Sequence, residues 1–388
     1  GFALSYSQLP AIYWGVGIFV ASGFLSLIVN DNWGMASWRL EKYFTLASSF
    51  FFIALLARET GGGTRSEPTK VLFYALLVGS VGLSLIAVYE LLWLDLPRVS
   101  AMLNANRFSE LSCSSALVLL AAALVLNSPL LRTAATAGAL LAFYAGLAGG
   151  SRGSLFGSIV SIFGLFLVLF TSSSVTVQRV HVLRFSGRAM IIIPLFVMFF
   201  LFFENSNFLS GQLDKIGSEL RMYAEKEDFS TSVGRRLAMW RGALLVWKEN
   251  PLIGTGVGDS QDDIQNLINL GALRLDEAWS RLHSIYMDTL ATTGLVGIIS
   301  LVVGVFLLPF LHFFRIACDQ KNSDWKRLSG AGGVALILFY GVAGLFSSWL
   351  YNRGQFTFLI LFSYLLAGTL GAADTRKKTL LQQQSYRG

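Results

Sequence analysis

Gly234-Arg235-Arg236-Leu237-Ala238-Met239-Trp240-Arg241 is followed by Pro251-Leu252-Ile253-Gly254-Thr255-Gly256-Val257-Gly258 and then by Arg281-Leu282-His283-Ser284-Ile285-Tyr286. These three motifs lie in or at the end of one long polar interruption, residues 203–282, flanked on both sides by apolar segments. Outward from it the chain reads as membrane. Of 388 residues 54% are hydrophobic and 14% charged, and the mean hydropathy is +0.59. A soluble domain carries roughly 25% charged residues, so a soluble enzyme or a nucleic-acid-binding domain is excluded. The fold class is an all-α integral membrane protein, a polytopic helical bundle.

Apolar runs long enough to cross about 30 Å of hydrocarbon predict ten spans: 12–29, 43–56, 71–92, 111–126, 133–148, 154–171, 189–203, 284–308, 332–349 and 356–370. They divide the chain into N-terminal membrane helices (1–203), a loop domain (204–283), and C-terminal helices with a basic tail (284–388). Cys113 and Cys318 form no disulfide framework and read as structural. The net charge of +7 informs mainly through its placement. The tail (Arg376, Lys377, Lys378, Arg387) shares a side with Arg315, Lys321, Lys326, Arg327, Arg179, Arg184, Arg188, Arg132, Arg58, Arg65 and Lys70. The opposite short connections hold only Arg353, Arg152, Arg98, Arg107, Arg39 and Lys42. Positive residues collect on the cytoplasmic side. The tail is therefore expected inside, and the long loop outside, in the periplasm if the organism is a bacterium.

This topology sorts the reactive residues. His181 and His312 fall inside; His283 alone faces out, at a helix N-terminus, where an imidazole is held neutral and can accept a proton. The alternative is an interfacial histidine bonded locally. Arg152, in Gly149-Gly150-Ser151-Arg152-Gly153, shares the outer face with Arg236, Arg241 and Arg353. Four such arginines suit a shared pyrophosphate-like anion, although snorkelling toward head groups explains any one of them. Glu90 is a candidate intramembrane carboxylate. Within the loop, an amphipathic helix is expected over 209–223 and a second over 232–249, with Leu237, Trp240, Leu244 and Trp247 as its apolar stripe. Gly254-Thr255-Gly256-Val257-Gly258 lacks the Lys-Ser/Thr of a phosphate loop and reads as a flexible turn. Asp259, Asp262 and Asp263 read as a solvated acidic loop, and a zinc site is not expected.

In order, Gly149-Gly150-Ser151-Arg152-Gly153, Gly234 to Arg241, Asn250 to Gly256, His283-Ser284-Ile285-Tyr286-Met287-Asp288-Thr289-Leu290 and Thr293-Gly294-Leu295-Val296-Gly297 resemble the O-antigen ligase/polymerase superfamily of bacterial inner-membrane glycosyltransferases. The resemblance covers about 145–297. It implies a fold related to the C-type glycosyltransferases, with a large helical periplasmic loop and about a dozen spans. One or two N-terminal helices are then expected to be missing from the ten. It further implies a glycan donor on undecaprenyl pyrophosphate, with lipid A–core as acceptor in the ligase branch and lipid-linked glycan in the polymerase branch. His283 corresponds to the family's outer-loop histidine, and Arg152 and Arg236 best match its essential arginines. Trp240, Arg241, Tyr286 and Arg353 are candidate substrate contacts. Asp288 and Thr293 depart from many relatives, and Arg353 follows no family motif. The expectation is a metal-independent, inverting ligase without a cofactor, facing the periplasm; the single large loop favours ligase over polymerase. A transporter would carry midplane charges or broken helices in matching halves, and neither is visible in the sequence.

Overall fold

The computed structural model describes residues 2–31, 40–48, 53, 68–101, 104–171, 217–219, 221–223, 225, 229, 231–279, 281–352 and 354–370. Among these every regular element is helical. The helices are α1 (Phe2–Asn30), α2 (Pro68–Val88), α3 (Ala105–Val125), α4 (Pro129–Ala148), α5 (Arg152–Thr171), α6 (Ser232–Glu249), α7 (Ser260–Asn269), α8 (Ile285–Ser300), α9 (Leu308–Cys318), α10 (Asp324–Ala343) and α11 (Gly354–Leu370). A π turn, Tyr89–Trp93, ends α2, and another, Leu301–Leu307, joins α8 to α9 just before Pro309. Proline has no amide hydrogen to complete the ladder, which accounts for the widened turn ahead of it.

Five helices are long and apolar enough to cross a membrane: Ala11–Asn30, Pro68–Trp93, Ala105–Val125, Pro129–Ala148 and Ile285–Cys318. Arg152–Val168 and Gly354–Thr369 are shorter apolar helices. The ten expected spans thus reduce to five of full length among the described residues. Expected span 189–203 lies outside the described residues, as do the tail and much of 43–56. Expected span 332–349 begins earlier and ends sooner, as Asp324–Ala343, because Ser323 caps its start and the chain turns at Gly344.

The bundle is built around α3. It is buried on all sides, its serine-rich first half as well as its apolar second half. Small residues bring it close to α4: a Cβ on Gly138 would meet Leu119, and one on Gly146 would meet Cys113. Lipid tails are as apolar as leucine, so close packing rather than water exclusion holds such helices together. α10, buried along most of its length, packs on α3, α5 and α9. Outside, Val78, Leu85, Trp93, Phe163 and Phe170 are exposed, the surface of a chain solvated by hydrocarbon.

α6 and α7 form a small satellite with its own core of Met239, Ala243, Val246, Ile264 and Leu273. The buried face of α6 is Gly234, Ala238, Met239, Gly242, Ala243 and Val246, not the expected stripe of Leu237, Trp240, Leu244 and Trp247. The small residues allow α7 and α8 to approach closely, which leaves the larger ones at the margins. Expected helix 209–223 lies largely outside the described residues.

The satellite is joined to the bundle by a backbone stitch. α8 breaks at Gly294 (φ 62°, ψ −156°), and the segment after α6 enters the break. Thr255 N–H donates to Ala291 O (3.1 Å) and Gly256 N–H to Thr292 O (3.1 Å), while Leu295 N–H donates to Pro251 O (2.9 Å) and Val296 N–H to Leu252 O (3.1 Å). A Cβ on Gly254 would strike the Thr292 backbone, and one on Gly294 the Leu252 backbone. α1 completes the joint: Ser26 Oγ donates to Thr292 O (2.6 Å) and Asn30 Nδ2 to Gly254 O (3.1 Å). The glycine-rich stretch expected to be a flexible turn is instead a fixed insert. It supplies partners that a broken membrane helix otherwise lacks.

Candidate active site

Glycines in the α4–α5 connection make a tight turn, with Gly150 at φ 65°, and Arg152 follows as the first residue of α5. Arg98 fixes this turn, donating from Nε (3.0 Å) and Nη2 (2.8 Å) to Gly149 O and from Nη2 to Asn106 Oδ1 (2.9 Å). Burial and the Arg152 charge lower the pKa of Arg98.

α6 brings the second arginine. Its N-terminus is capped by Thr231, whose Oγ1 accepts from Gly234 N–H (3.0 Å), and by Glu219, which accepts from Val233 N–H (3.1 Å). One turn along, Arg236 donates from Nη1 to Phe346 O (3.4 Å), and its buried Nε has no hydrogen-bond partner. Burial, then the Arg152 charge, lower the Arg236 pKa; Glu219 opposes them. Arg235 lies 5.5 Å above the Trp279 ring, and Arg241 is exposed.

The Trp279 ring packs edge-on against His283, with centroids 5.0 Å apart. His283 has the unusual backbone of a non-glycine residue at φ 55°. This displaces it from the axis of α8, which starts behind it with Ser284 as N-cap. Burial, and then the charges of Arg236 and Arg281, lower the pKa of His283 from 6.5 to about 4. The ring is therefore neutral at pH 7 and able to accept a proton.

The structure thus brings Arg152, Arg236 and His283 together at one end of the bundle, and adds Arg98 and Arg281. Trp240 stands behind the histidine: its Nε1–H donates to Leu282 O (2.8 Å). Tyr286 turns to α10, donating to Gly341 O (2.6 Å) and packing on Phe306. Arg353 lies outside the described residues. Glu90 serves the fold, since its carboxylate accepts from Ser100 N–H (2.7 Å) and Ala101 N–H (2.8 Å). Of the acidic residues, Asp263 is half-buried and accepts from Thr255 Oγ1 (2.5 Å). Burial, opposed by that hydrogen bond, raises its pKa to about 6. Among the described residues no three His, Cys, Asp or Glu side chains gather as metal ligands.

The sequence marked Asp288 only as a departure from many relatives and left Glu110 unmarked; both are buried. Each is a carboxylate in an otherwise apolar helix, the signal that could have found it. Nor does the sequence predict a broken helix, and α8 is broken. The break, however, is plugged by the chain itself and no matching one occurs among the described residues. Chemically, the arrangement sets fixed positive charge beside a neutral imidazole, a combination able to hold an anion and to accept a proton.

Residues 137–302 match the family model described as O-antigen ligase. A Haemophilus influenzae protein named only as uncharacterized is 28% identical over 127 residues, which make up 32% of this chain and 31% of that protein. The match therefore spans about a third of the relative's length. The family match contains Arg152, Arg236, His283 and the whole stitch; Arg98 and residues 346–348 lie outside it.

Proposed function

We propose that the chain, whose residues 137–302 match the family model described as O-antigen ligase, is an O-antigen ligase. It would move a glycan from undecaprenyl pyrophosphate to lipid A–core at the periplasmic face of the inner membrane. The observation that carries this reading is a buried Arg236, beside the Arg152 charge, whose own charge helps to keep His283 neutral.

In this mechanism the donor pyrophosphate lies against Arg152 and Arg236, with Arg98 bracing the turn that presents Arg152. His283 takes the proton from the acceptor hydroxyl as its oxygen bonds to the anomeric carbon. The bond from that carbon to the pyrophosphate oxygen breaks, and its electron pair leaves on the pyrophosphate. The arginines stabilise the charge that develops there. A single displacement inverts the anomeric configuration. Charge compensation of a leaving group that is already good requires no nucleotide, and in this reading no metal.

The test is a transfer assay with purified protein in nanodiscs, given undecaprenyl-pyrophosphate oligosaccharide with and without lipid A–core, beside His283→Ala. Glycan on lipid A–core, absent with the variant, supports the proposal. Longer lipid-linked chains formed without lipid A–core make the protein a polymerase using the same site.

A further inference from the structure

Leu282 immediately precedes the histidine, and the fold holds its backbone at both the carbonyl and the N–H. Trp240 Nε1–H of α6 donates to the Leu282 carbonyl oxygen (2.8 Å). The Leu282 N–H donates to Asp288 Oδ1 (3.3 Å). Asp288 is 1% exposed and sits on the first turn of α8, so its carboxylate reaches back over the Ser284 cap. Its other oxygen, Oδ2, accepts from Ser348 Oγ (2.6 Å). Ser348 belongs to the α10–α11 connection, and two residues before it Phe346 O accepts from Arg236 Nη1 (3.4 Å). A continuous chain of contacts therefore runs from the arginine, through residues 346–348 and Asp288, to the backbone of the histidine.

Helix capping does not require this arrangement. The N-terminus of α8 already has Ser284 as its cap, so the carboxylate is committed to a loop peptide and to a distant serine. A carboxylate hidden from water is costly unless its oxygens are bonded, and these two bonds go to the two segments whose separation fixes Arg236 relative to His283. A φ of 55° at His283 is a sparsely populated conformation for a side-chain-bearing residue and persists where its surroundings over-determine it; the grip on Leu282 supplies that restraint.

We infer that Asp288 is the positioning residue of the active site, acting with Ser348 and Trp240 to hold His283 in register with Arg236. The inference rests on the proposed role of His283 as base. Asp288 touches no substrate. It sets where the base stands, and a misplacement on the order of 1 Å can cost about a hundredfold in rate.

The experiment compares purified full-length protein with Asp288→Ala, Asp288→Asn, Ser348→Ala and Trp240→Phe. For each, kcat and donor KM are measured by the transfer assay. Independently of activity, the rate at which diethyl pyrocarbonate modifies His283 is followed by peptide mass spectrometry, and the thermal midpoint gives the folded fraction. Asp288→Ala is expected to lower kcat by about a hundredfold, with donor KM little changed and His283 modified faster. Asp288→Asn should restore much of the rate, because an amide oxygen still accepts from Leu282 N–H and the amide N–H can donate to Ser348. Ser348→Ala and Trp240→Phe each remove one contact, and intermediate losses are expected. Unchanged kcat and unchanged His283 modification in folded Asp288→Ala would overturn the inference. So would losses in all four variants that merely follow the folded fraction. If the modification rates change as expected but no glycan reaches lipid A–core, the positioning role stands and the proposed reaction fails.

Discussion

Gly294→Ala puts the stitch between α8 and the segment at 251–256 under direct strain. At φ 62° and ψ −156°, Gly294 occupies a region that is essentially closed to other residues and costs an alanine about 1–3 kcal/mol. The new methyl would also enter the carbonyl of Leu252 and the amide of Ile253, so the inserted segment must back away. Four inter-segment hydrogen bonds depend on its position, each worth about 0.5–1.5 kcal/mol net. Losing half of them and keeping the strain gives a total of about 2–6 kcal/mol. The assay is thermal unfolding of the purified protein, with Gly79→Ala as control. Nothing lies within 4 Å of a methyl on Gly79, and alanine in a helix is about 1 kcal/mol better than glycine. The control should hold or rise while Gly294→Ala falls by several degrees. Equal midpoints for Gly294→Ala and the native protein would refute the claim that the break is locked by the insert.

Four further outcomes are expected. With His283 lowered from 6.5 to about 4, the acid limb of kcat/KM should fall near pH 4, and Arg281→Gln should move it upward; a limb at 6.5 in the native protein contradicts the site. The unfolded ring takes its proton at 6.5 and the folded ring only near 4, so stability should decline as pH falls through that window, by up to about 3 kcal/mol; unfolding curves between pH 7 and 4 read this out. Arg236→Ala should cost about a hundredfold or more in kcat/KM for donor, whereas the exposed Arg241→Ala should cost about twofold at most; parallel steady-state assays with the order reversed would move the anion site. Glu90→Ala leaves two amides, those of Ser100 and Ala101, without their acceptor. That loss should lower stability by about 3 kcal/mol, and an unchanged thermal midpoint would show that water replaces the carboxylate.

Much of the bundle was legible because membrane helices announce themselves by length and apolar content. Ser284, before Ile285, marked a true start, whereas the span expected from 133 begins at Pro129. The charged residues Arg107 and Glu110 hid the first turn of α3, which begins at Ala105 rather than 111. The gathering of Arg152, Arg236 and His283 followed from placing basic residues on alternate sides, since topology limits which connections can meet. The buried face of α6 was not legible. A stripe drawn through its largest apolar residues misses a face built from Gly234, Ala238 and Gly242, where closeness matters more than size. Nor could local pattern reveal the insert, because the acceptors of Thr255 and Gly256 lie at Ala291 and Thr292. No periodicity links positions that far apart. Asp288 escaped for a related reason: its two bonds go backward to Leu282 and far forward to Ser348.

The joint at Gly294 also bears on the order in which the molecule can assemble. Its three components are made at widely separated times: Ser26 and Asn30 first, the insert next, and the carbonyls of Ala291 and Thr292 last. Asn30 can meet the insert first, through Gly254 O, but the backbone bonds of the seam wait for residues 291–296. The backbone seam therefore closes late and commits the satellite of α6 and α7 to its place. A protein cut back to residues 137–302, the extent of the family match, would retain the reactive groups yet lose the donors on α1.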